Sequence, residues 1–381
     1  MSRGLTCTLI ALACLAATAP AASASTDNRR VDLKAITDAR AVSAIAEIRD
    51  RDKTWRGSTG TTDLTTKTPV RSDGRFRIGS VTKTFVATTA LQLVGEHRLS
   101  LADPVERHLP GLVPNGQNIT VRQLLDQTSG LFDPTNESTE VFPDINDPAV
   151  FRTWVAQGGL NRTFTPRSLV AKAVKHDPYF APGTKWGYSN TNYTLVGMII
   201  EKVTGHPYGQ EVSARILRPL GMTDTSVPGR STKIPGPHAH SYWTTIDGTT
   251  QTDVDVTEHN PSWAGAAGEI ISTTDDLLRF QRALLNGKLL RPQQWQEMTT
   301  LHQTDPGSHD LDYGMGLARA QLTCGPVWGH NGGTFGFTTQ LWGTQDRQVA
   351  LSYTPRGDEE EQTAQNIAGL KFLETAFCGR R

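Results

Sequence analysis

The strand-like segments of this chain lie at its two ends, and that placement constrains the fold more than any other feature. Apolar residues alternate over Val42, Ala44, Ala46 and Ile48, and a polar turn then leads to Thr54-Trp55-Arg56, the pattern of paired strands with one buried face. Far downstream, Thr338 to Trp342 and Val349 to Tyr353 flank Gly343-Thr344-Gln345-Asp346, a hairpin signal. Between the two groups, Leu99, Leu101, Val121, Leu124, Leu125, Leu195, Val196, Ile199, Ile200, Leu277, Leu278, Leu284 and Leu285 fall in helix-spaced clusters separated by Pro- and Gly-rich loops. The pattern predicts an α/β fold: one antiparallel sheet built from both chain ends, flanked by helices, with a mainly helical inserted region and a site in the cleft between them. The sheet part is expected over about 30–99 and 311–381, and the helical part over about 100–310. A last helix is expected after Asp358-Glu359-Glu360-Glu361, whose charges suit a helix N-terminus. Ile367, Leu370, Leu373 and Phe377 form its apolar face and Gly379 stops it.

The first residues speak to compartment. Arg3 is the only charge before Asp27, an apolar run follows from Leu5 to Ala17, and Ala22-Ser23-Ala24 has the small-x-small form of a signal-peptidase site. Residues 1–24 are read as a secretory signal and 25–381 as one catalytic domain, secreted and without a membrane span, since the run is shorter than the ~20 residues a span requires. A lipidated Cys14 is the alternative, but Ala11 stands where such signals usually have Leu. Cys7 and Cys14 leave with the signal. The remaining pair, Cys324 and Cys378, favours a disulfide in an oxidising compartment, worth roughly 4 kcal/mol in the chain-entropy model, against an alternative of two buried free thiols. Lys plus Arg (38) cancels Asp plus Glu (38), which removes the electrostatic attraction that nucleic-acid and anionic-membrane binders use. The expected partner is a small-molecule or peptide substrate, with no cofactor and no metal. Oligomeric state is not readable from the sequence.

Three short stretches carry chemistry. Ser80-Val81-Thr82-Lys83 opens a helical pattern, and residues i and i+3 share a helix face, so the Lys83 amine reaches the Ser80 hydroxyl. A serine there also places its backbone N–H among the unpaired donors of the helix start, where an oxyanion is stabilised. Tyr188-Ser189-Asn190 precedes the apolar run Tyr193 to Ile200, and presents a phenol as proton carrier and a carboxamide as donor to substrate or Lys83. His330-Asn331-Gly332-Gly333 precedes the C-terminal hairpin, and its adjacent glycines admit close backbone approach, with the Gly333 N–H as a second oxyanion donor. Ser-x-x-Lys and His-x-Gly each arise by chance in a chain this long. Their order and setting together carry the signal.

These three stretches resemble the active-site motifs of the serine β-lactamase and penicillin-binding superfamily, and are most similar to its branch of class C β-lactamases, secreted actinobacterial D-alanyl-D-alanine carboxypeptidases and related esterases. The resemblance extends to Leu124-Leu125-Asp126-Gln127-Thr128-Ser129-Gly130, Trp263-Ala264-Gly265-Ala266-Ala267-Gly268 and Tyr313-Gly314-Met315-Gly316-Leu317, and the cysteine pair is similar too. It implies a β-lactamase-like fold and an acyl-enzyme on Ser80, with Lys83 and Tyr188 moving its proton and the Ser80 and Gly333 N–H groups holding the oxyanion. It further implies that Asn190, His330, Asn331 and Gly332 orient substrate and that Trp263 lines its channel. A lysine base near pH 7 needs its pKa lowered by ~3 units from ~10.4; otherwise Lys83 stays cationic and assists Tyr188. Both schemes stay open.

Two departures bear on substrate. Asn331 replaces the Thr of the carboxypeptidases' third motif. The Arg that holds the terminal carboxylate there aligns, counted from Cys324, with Ala318, leaving Arg319, one place beyond, as the candidate substrate-binding residue. The expected activity is a D-alanyl-D-alanine carboxypeptidase acting on peptidoglycan stem peptides, with an esterase, amidase or β-lactamase on the same fold as alternative. Two readings come from other classes: a metallohydrolase using His238 and His240, and an inactive binding protein. No Gly-x-Ser-x-Gly occurs, which disfavours an α/β-hydrolase.

Overall fold

A computed structural model describes residues 26–135, 138–304 and 311–379. The signal reading of residues 1–24, with Cys7 and Cys14, lies outside them. Eight antiparallel strands form one sheet in the spatial order Lys53–Gly60, Ser43–Asp50, Arg347–Thr354, Phe337–Gly343, Gly325–Thr334, Ala318–Leu322, Leu311–Tyr313 and His302–Gln303. The two strand groups meet where Ser43 pairs Thr354 and Asp50 pairs Arg347, so the sheet is stitched from both chain ends as the patterning predicts. Ser43–Asp50 sits inside the sheet, which accounts for its almost continuous burial.

The helices Thr26–Asp38 and Glu359–Cys378 share one core with the sheet through Leu33, Ile36, Leu351, Phe372 and Leu373. A second core holds the helix Thr82–Gly95, whose Phe85 stacks on Phe280 of the helix Thr274–Leu285 with ring centroids 3.7 Å apart. Thr82–Gly95 is buried nearly all round, and its sequence, apolar or small at almost every position, suits a helix with no solvent face. Ser80 precedes it in a 3₁₀ turn, Gly79–Val81.

The region 100–310 is mainly helical but also carries a hairpin, Tyr242–Asp247 with Thr250–Asp255, which its leucine spacing did not announce. Asp247-Gly248, with Gly248 at φ +60°, is the turn chemistry that marks it. The apolar face of the last helix also differs from expectation. Ile367 is 60% exposed, and the buried residues are Gln365, Gly369, Phe372, Leu373 and Ala376. Gln365 faces inward because its amide donates to the Ala39 and Arg356 carbonyls at 2.9 and 2.6 Å, a backbone demand that an apolar count misses. Cys324, after the strand Ala318–Leu322, lies against Cys378 at the end of this helix, Cα to Cα 5.4 Å, with their sulfurs in bonding contact.

Chemical denaturation checks this burial: Ile367→Lys is expected to change stability by less than about 0.5 kcal/mol, whereas Phe372→Ala costs about 3–5 kcal/mol.

Candidate active site

The Ser80 hydroxyl is the point where three chain segments converge. Lys83 Nζ donates to Ser80 Oγ at 3.0 Å, and the Tyr188 phenol donates to the same oxygen at 2.8 Å. Lys83 is fully buried, and its ammonium also donates to Asn190 Oδ1 at 2.7 Å and to the Ala267 carbonyl at 2.8 Å. Those two carbonyl oxygens can only accept, so they fix two N–H directions. The remaining direction, whether it carries the third proton or a lone pair, points at Ser80. Lys83 also lies 4.8 Å from the centre of the Tyr188 ring.

Each partner is itself held. Asn190 Nδ2 donates to Asp133 Oδ2 and Thr135 Oγ1 at 2.9 and 3.0 Å, which turns its Oδ1 toward Lys83. Asp133 is 1% exposed and also accepts from the Asn190 backbone N–H at 2.9 Å. Tyr188 stands just before Ser189, the N-cap of the helix Asn190–Thr204. Gln127 anchors this loop: its Oε1 accepts from the Ser189 N–H at 3.0 Å and from Asn192 Nδ2 at 2.5 Å, and its carbonyl from the Gly187 N–H at 2.9 Å. Gln127 does this from a left-handed conformation, φ +66°, a cost accepted where the surroundings dictate it. Asp133, Thr135, Gln127 and Ala267 were not singled out from sequence. Gln127 and Ala267 lie inside the quoted motifs, but a backbone acceptor such as the Ala267 carbonyl has no side-chain signature.

The opposite wall is the strand Gly325–Thr334. A Cβ on Gly332 would lie 2.8 Å from Ser80 N and closer still to the Ile78 carbonyl, and a Cβ on Gly79 would lie 2.6 and 2.8 Å from Gly333 O and N. Only glycines permit this approach, and it sets the backbone of Gly333 beside that of the nucleophile turn.

His330 departs from its expected place. Its ring is 3% exposed, Nδ1 donates to the Asn331 carbonyl, and Nε2 accepts from the Tyr313 phenol at 3.1 Å. Both nitrogens are occupied inside the protein, so the ring braces Tyr313, which meets Tyr188 edge-on at 6.3 Å, rather than substrate. Burial and the nearby Lys83 push its pKa down from 6.5 to about 3, so it is neutral at pH 7. Arg319 also departs, because its guanidinium is engaged by Asp312 at 2.5 Å. Asn331 pairs with Gln340 in the strand register. Trp263 ends the turn Pro261–Trp263, directly before the turn Gly265–Ala267 that receives Lys83, and packs edge-on against Phe142 and Phe335 at 5.0 and 5.6 Å. His238 and His240 each bind locally, to the Gly236 carbonyl and to Asp255. Among the described residues no group of three His, Cys, Asp or Glu side chains is placed to hold a metal.

A sheet from both termini, helices on its two faces, and Ser-Lys-Tyr convergence at the strand edge define a serine hydrolase of the penicillin-binding fold. A family model described as Beta-lactamase matches residues 32–375, and the chain belongs to this family. A solved D-stereospecific amidohydrolase from Streptomyces sp. superposes with a TM-score of 0.80 at 39% identity, over 94% of this chain and 100% of the other. A D-amino acid amidase from Ochrobactrum anthropi SV3 gives 0.78 at 28% identity, over 91% and 97%. Penicillin-binding protein 4* of Bacillus subtilis is 26% identical over 86% of this chain and 70% of its own length. Of two further curated relatives the chain spans 53% and 48% of the length.

Two outcomes test this geometry. Gly332→Ala is expected to lower kcat by about 10²–10³-fold by displacing the Ser80 N–H, the loss of one oxyanion donor. His259, like His330, is buried and held down to about 3. In each case the unfolded chain binds a proton that the folded one excludes, so the contribution of these two histidines to stability is complete above about pH 6.5 and is lost as pH drops toward 3. Denaturant midpoints across that window measure the fall.

Proposed function

We propose that this protein is a secreted serine hydrolase that cleaves amide or ester bonds beside a D-configured residue, through an acyl-enzyme on Ser80 and without gripping a free terminal carboxylate. The joint hold of Lys83 and Tyr188 on Ser80 Oγ carries the chemistry. As Ser80 Oγ attacks the carbonyl carbon, its proton passes to the deprotonated member of the Lys83–Tyr188 pair, either a neutral Lys83 amine or a Tyr188 phenolate stabilised by a Lys83 ammonium. The oxyanion is stabilised by the Ser80 and Gly333 N–H groups. Collapse breaks the C–N or C–O bond, and the leaving group departs with the proton. Water then adds to the acyl-enzyme with the same pair as base, freeing the acid and restoring Ser80.

The preference for a substrate without a terminal carboxylate rests on charge. A carboxylate needs a cation aimed at it. In the third motif His330 is buried and neutral, and Arg319 is already paired with Asp312. The D-configuration is supported by the likeness to the D-stereospecific amidohydrolase and the D-amino acid amidase. The second reading, a D-alanyl-D-alanine carboxypeptidase open to β-lactams, follows from the motif resemblance and the likeness to penicillin-binding protein 4*. Export rests on the apolar run Leu5 to Ala17, and in an oxidising compartment Cys324 and Cys378 form a disulfide, which leaves them unalkylated until reduced.

The deciding experiment compares kcat/KM on a D-amino-acid amide, its L-enantiomer, a short ester and an acyl-D-Ala-D-Ala peptide, each also against Ser80→Ala. Turnover of the D-amide and ester, with a loss of at least ~10³-fold in Ser80→Ala, is expected. A tenfold or greater preference for the free carboxylate, about 1.4 kcal/mol, turns the reading to the carboxypeptidase. A fluorophosphonate adduct on any residue other than Ser80 overturns both.

A further inference from the structure

The segment that supplies Lys83 with its Ala267 acceptor also carries a buried acid for which the reaction above has no use. Residues 267–270 strap the nucleophile turn at three points. The Ala267 carbonyl accepts from Lys83, the Ile270 N–H donates to Thr82 Oγ1 at 3.1 Å, and the Ile270 carbonyl accepts from the Ile78 N–H at 2.9 Å. Glu269 lies in the middle of this strap and is 3% exposed. The strap is wedged against the helix Asn190–Thr204 so closely that a Cβ on Gly197 would lie 2.6 Å from that of Ala266.

Groups from three elements and the turn at Gly229 act on the Glu269 carboxyl. The Tyr208 phenol, on the helix Tyr208–Val212, donates to its Oε1. The Gly229 backbone N–H and Arg77, on the strand Phe76–Arg77, favour its ionised form, whereas Glu201, on the helix Asn190–Thr204, opposes it. Arg77 is 1% exposed, and its Nη2 serves the Thr232 and His259 carbonyls at 2.6 and 3.1 Å. Its Nε and Nη1 have no hydrogen-bond partner among the described residues. Glu258 favours the Arg77 cation, and Arg77 in turn disfavours a charge on His259. Arg77 stands two residues before Gly79, so a charge that draws its guanidinium pulls on the nucleophile turn from the strand side while the strap holds it from the other.

We propose that Glu269 is a positioning residue for the Ser80–Lys83 pair: neutral, it leaves the strap in register with the nucleophile turn; ionised, it recruits the free Arg77 N–H groups and loosens that register. Burial raises its carboxyl to about 8, so the change falls on the alkaline side of neutrality. This inference rests on the Ser80 reading above.

The test uses the mature chain and its Glu269→Gln and Tyr208→Phe variants, with three readouts. Fluorophosphonate labelling of Ser80 at pH 7 reports the nucleophile. Thermal melting against pH reports where Glu269 titrates. Between about pH 4.5 and 8 the folded chain keeps a Glu269 proton that the unfolded one has lost, so the Glu269 contribution to stability falls as pH rises, and it is read as the difference between the parent's pH dependence and that of Glu269→Gln, which cannot ionise. The pH profile of kcat/KM on one D-amino-acid ester reports coupling. The parent is expected to fall at least about threefold through pH 8, Glu269→Gln to stay level there while matching the parent near pH 6.5, and Tyr208→Phe, which lacks the phenol donor to the carboxylate, to fall at higher pH. If Ser80 labels normally and Glu269→Gln keeps the parent's alkaline fall, or melts with the parent's pH dependence, the proposal is overturned. If Ser80 in the parent does not label, the Ser80 reading fails first and takes the proposal with it.

Discussion

A buried lysine amine, charged or neutral, must have hydrogen-bond partners on all sides, and the need to surround Lys83 with them organises this molecule. Ser80, Asn190 and Ala267 come from three separate parts of the chain and meet it at 2.7–3.0 Å. Desolvating a charge without such partners costs several kcal/mol, so the helix Thr82–Gly95, the loop before Asn190–Thr204 and the strap 267–270 cannot be placed independently. Much of the surrounding polar structure serves those placements: Asp133 and Thr135 turn the Asn190 amide, and Gln127 pins the loop that carries Tyr188.

The glycine wall is the second constraint. Gly79 and Gly332 bring two backbones together without side chains between them. The proposed oxyanion site, built of backbone N–H groups, would hold its geometry because the sheet and the buried helix hold those groups, and would reorganise little during the reaction. The same wall leaves the third motif without a free cation, which separates this site's electrostatics from one made to grip a carboxylate.

What the sequence revealed depended on whether a feature is local. The Ser80-to-Lys83 spacing is a property of one helix turn, and the strand groups show their alternation in a handful of residues, so both were legible. The convergence of Ser80, Lys83 and Tyr188 was legible only because three weak motifs resemble one family's set in order. The supports were not legible in the same way. Ala267 contributes a carbonyl, Gln127 a left-handed backbone, and Asp133 a carboxylate buried by partners 57 residues away. The inward turn of Gln365 and the exposure of Ile367 show the same limit, since the Ala39 carbonyl that orients the former lies 326 residues distant. His330 and Arg319 were assigned to substrate by motif position, whereas their neighbours Tyr313 and Asp312 claim them first.

A sheet in which Ser43 pairs with Thr354, 311 residues away, has a kinetic corollary. The strand Ser43–Asp50 has no partner on one side until Arg347–Thr354, near the end of the chain, exists, so early segments must wait with an unsatisfied edge, and the pairing entails a long loop closure. The molecule therefore assembles late and as a whole. A ribosome-tethered fragment that ends before Arg347 contains Ser80, Lys83 and Tyr188 and still lacks the strand that joins the two halves of the sheet.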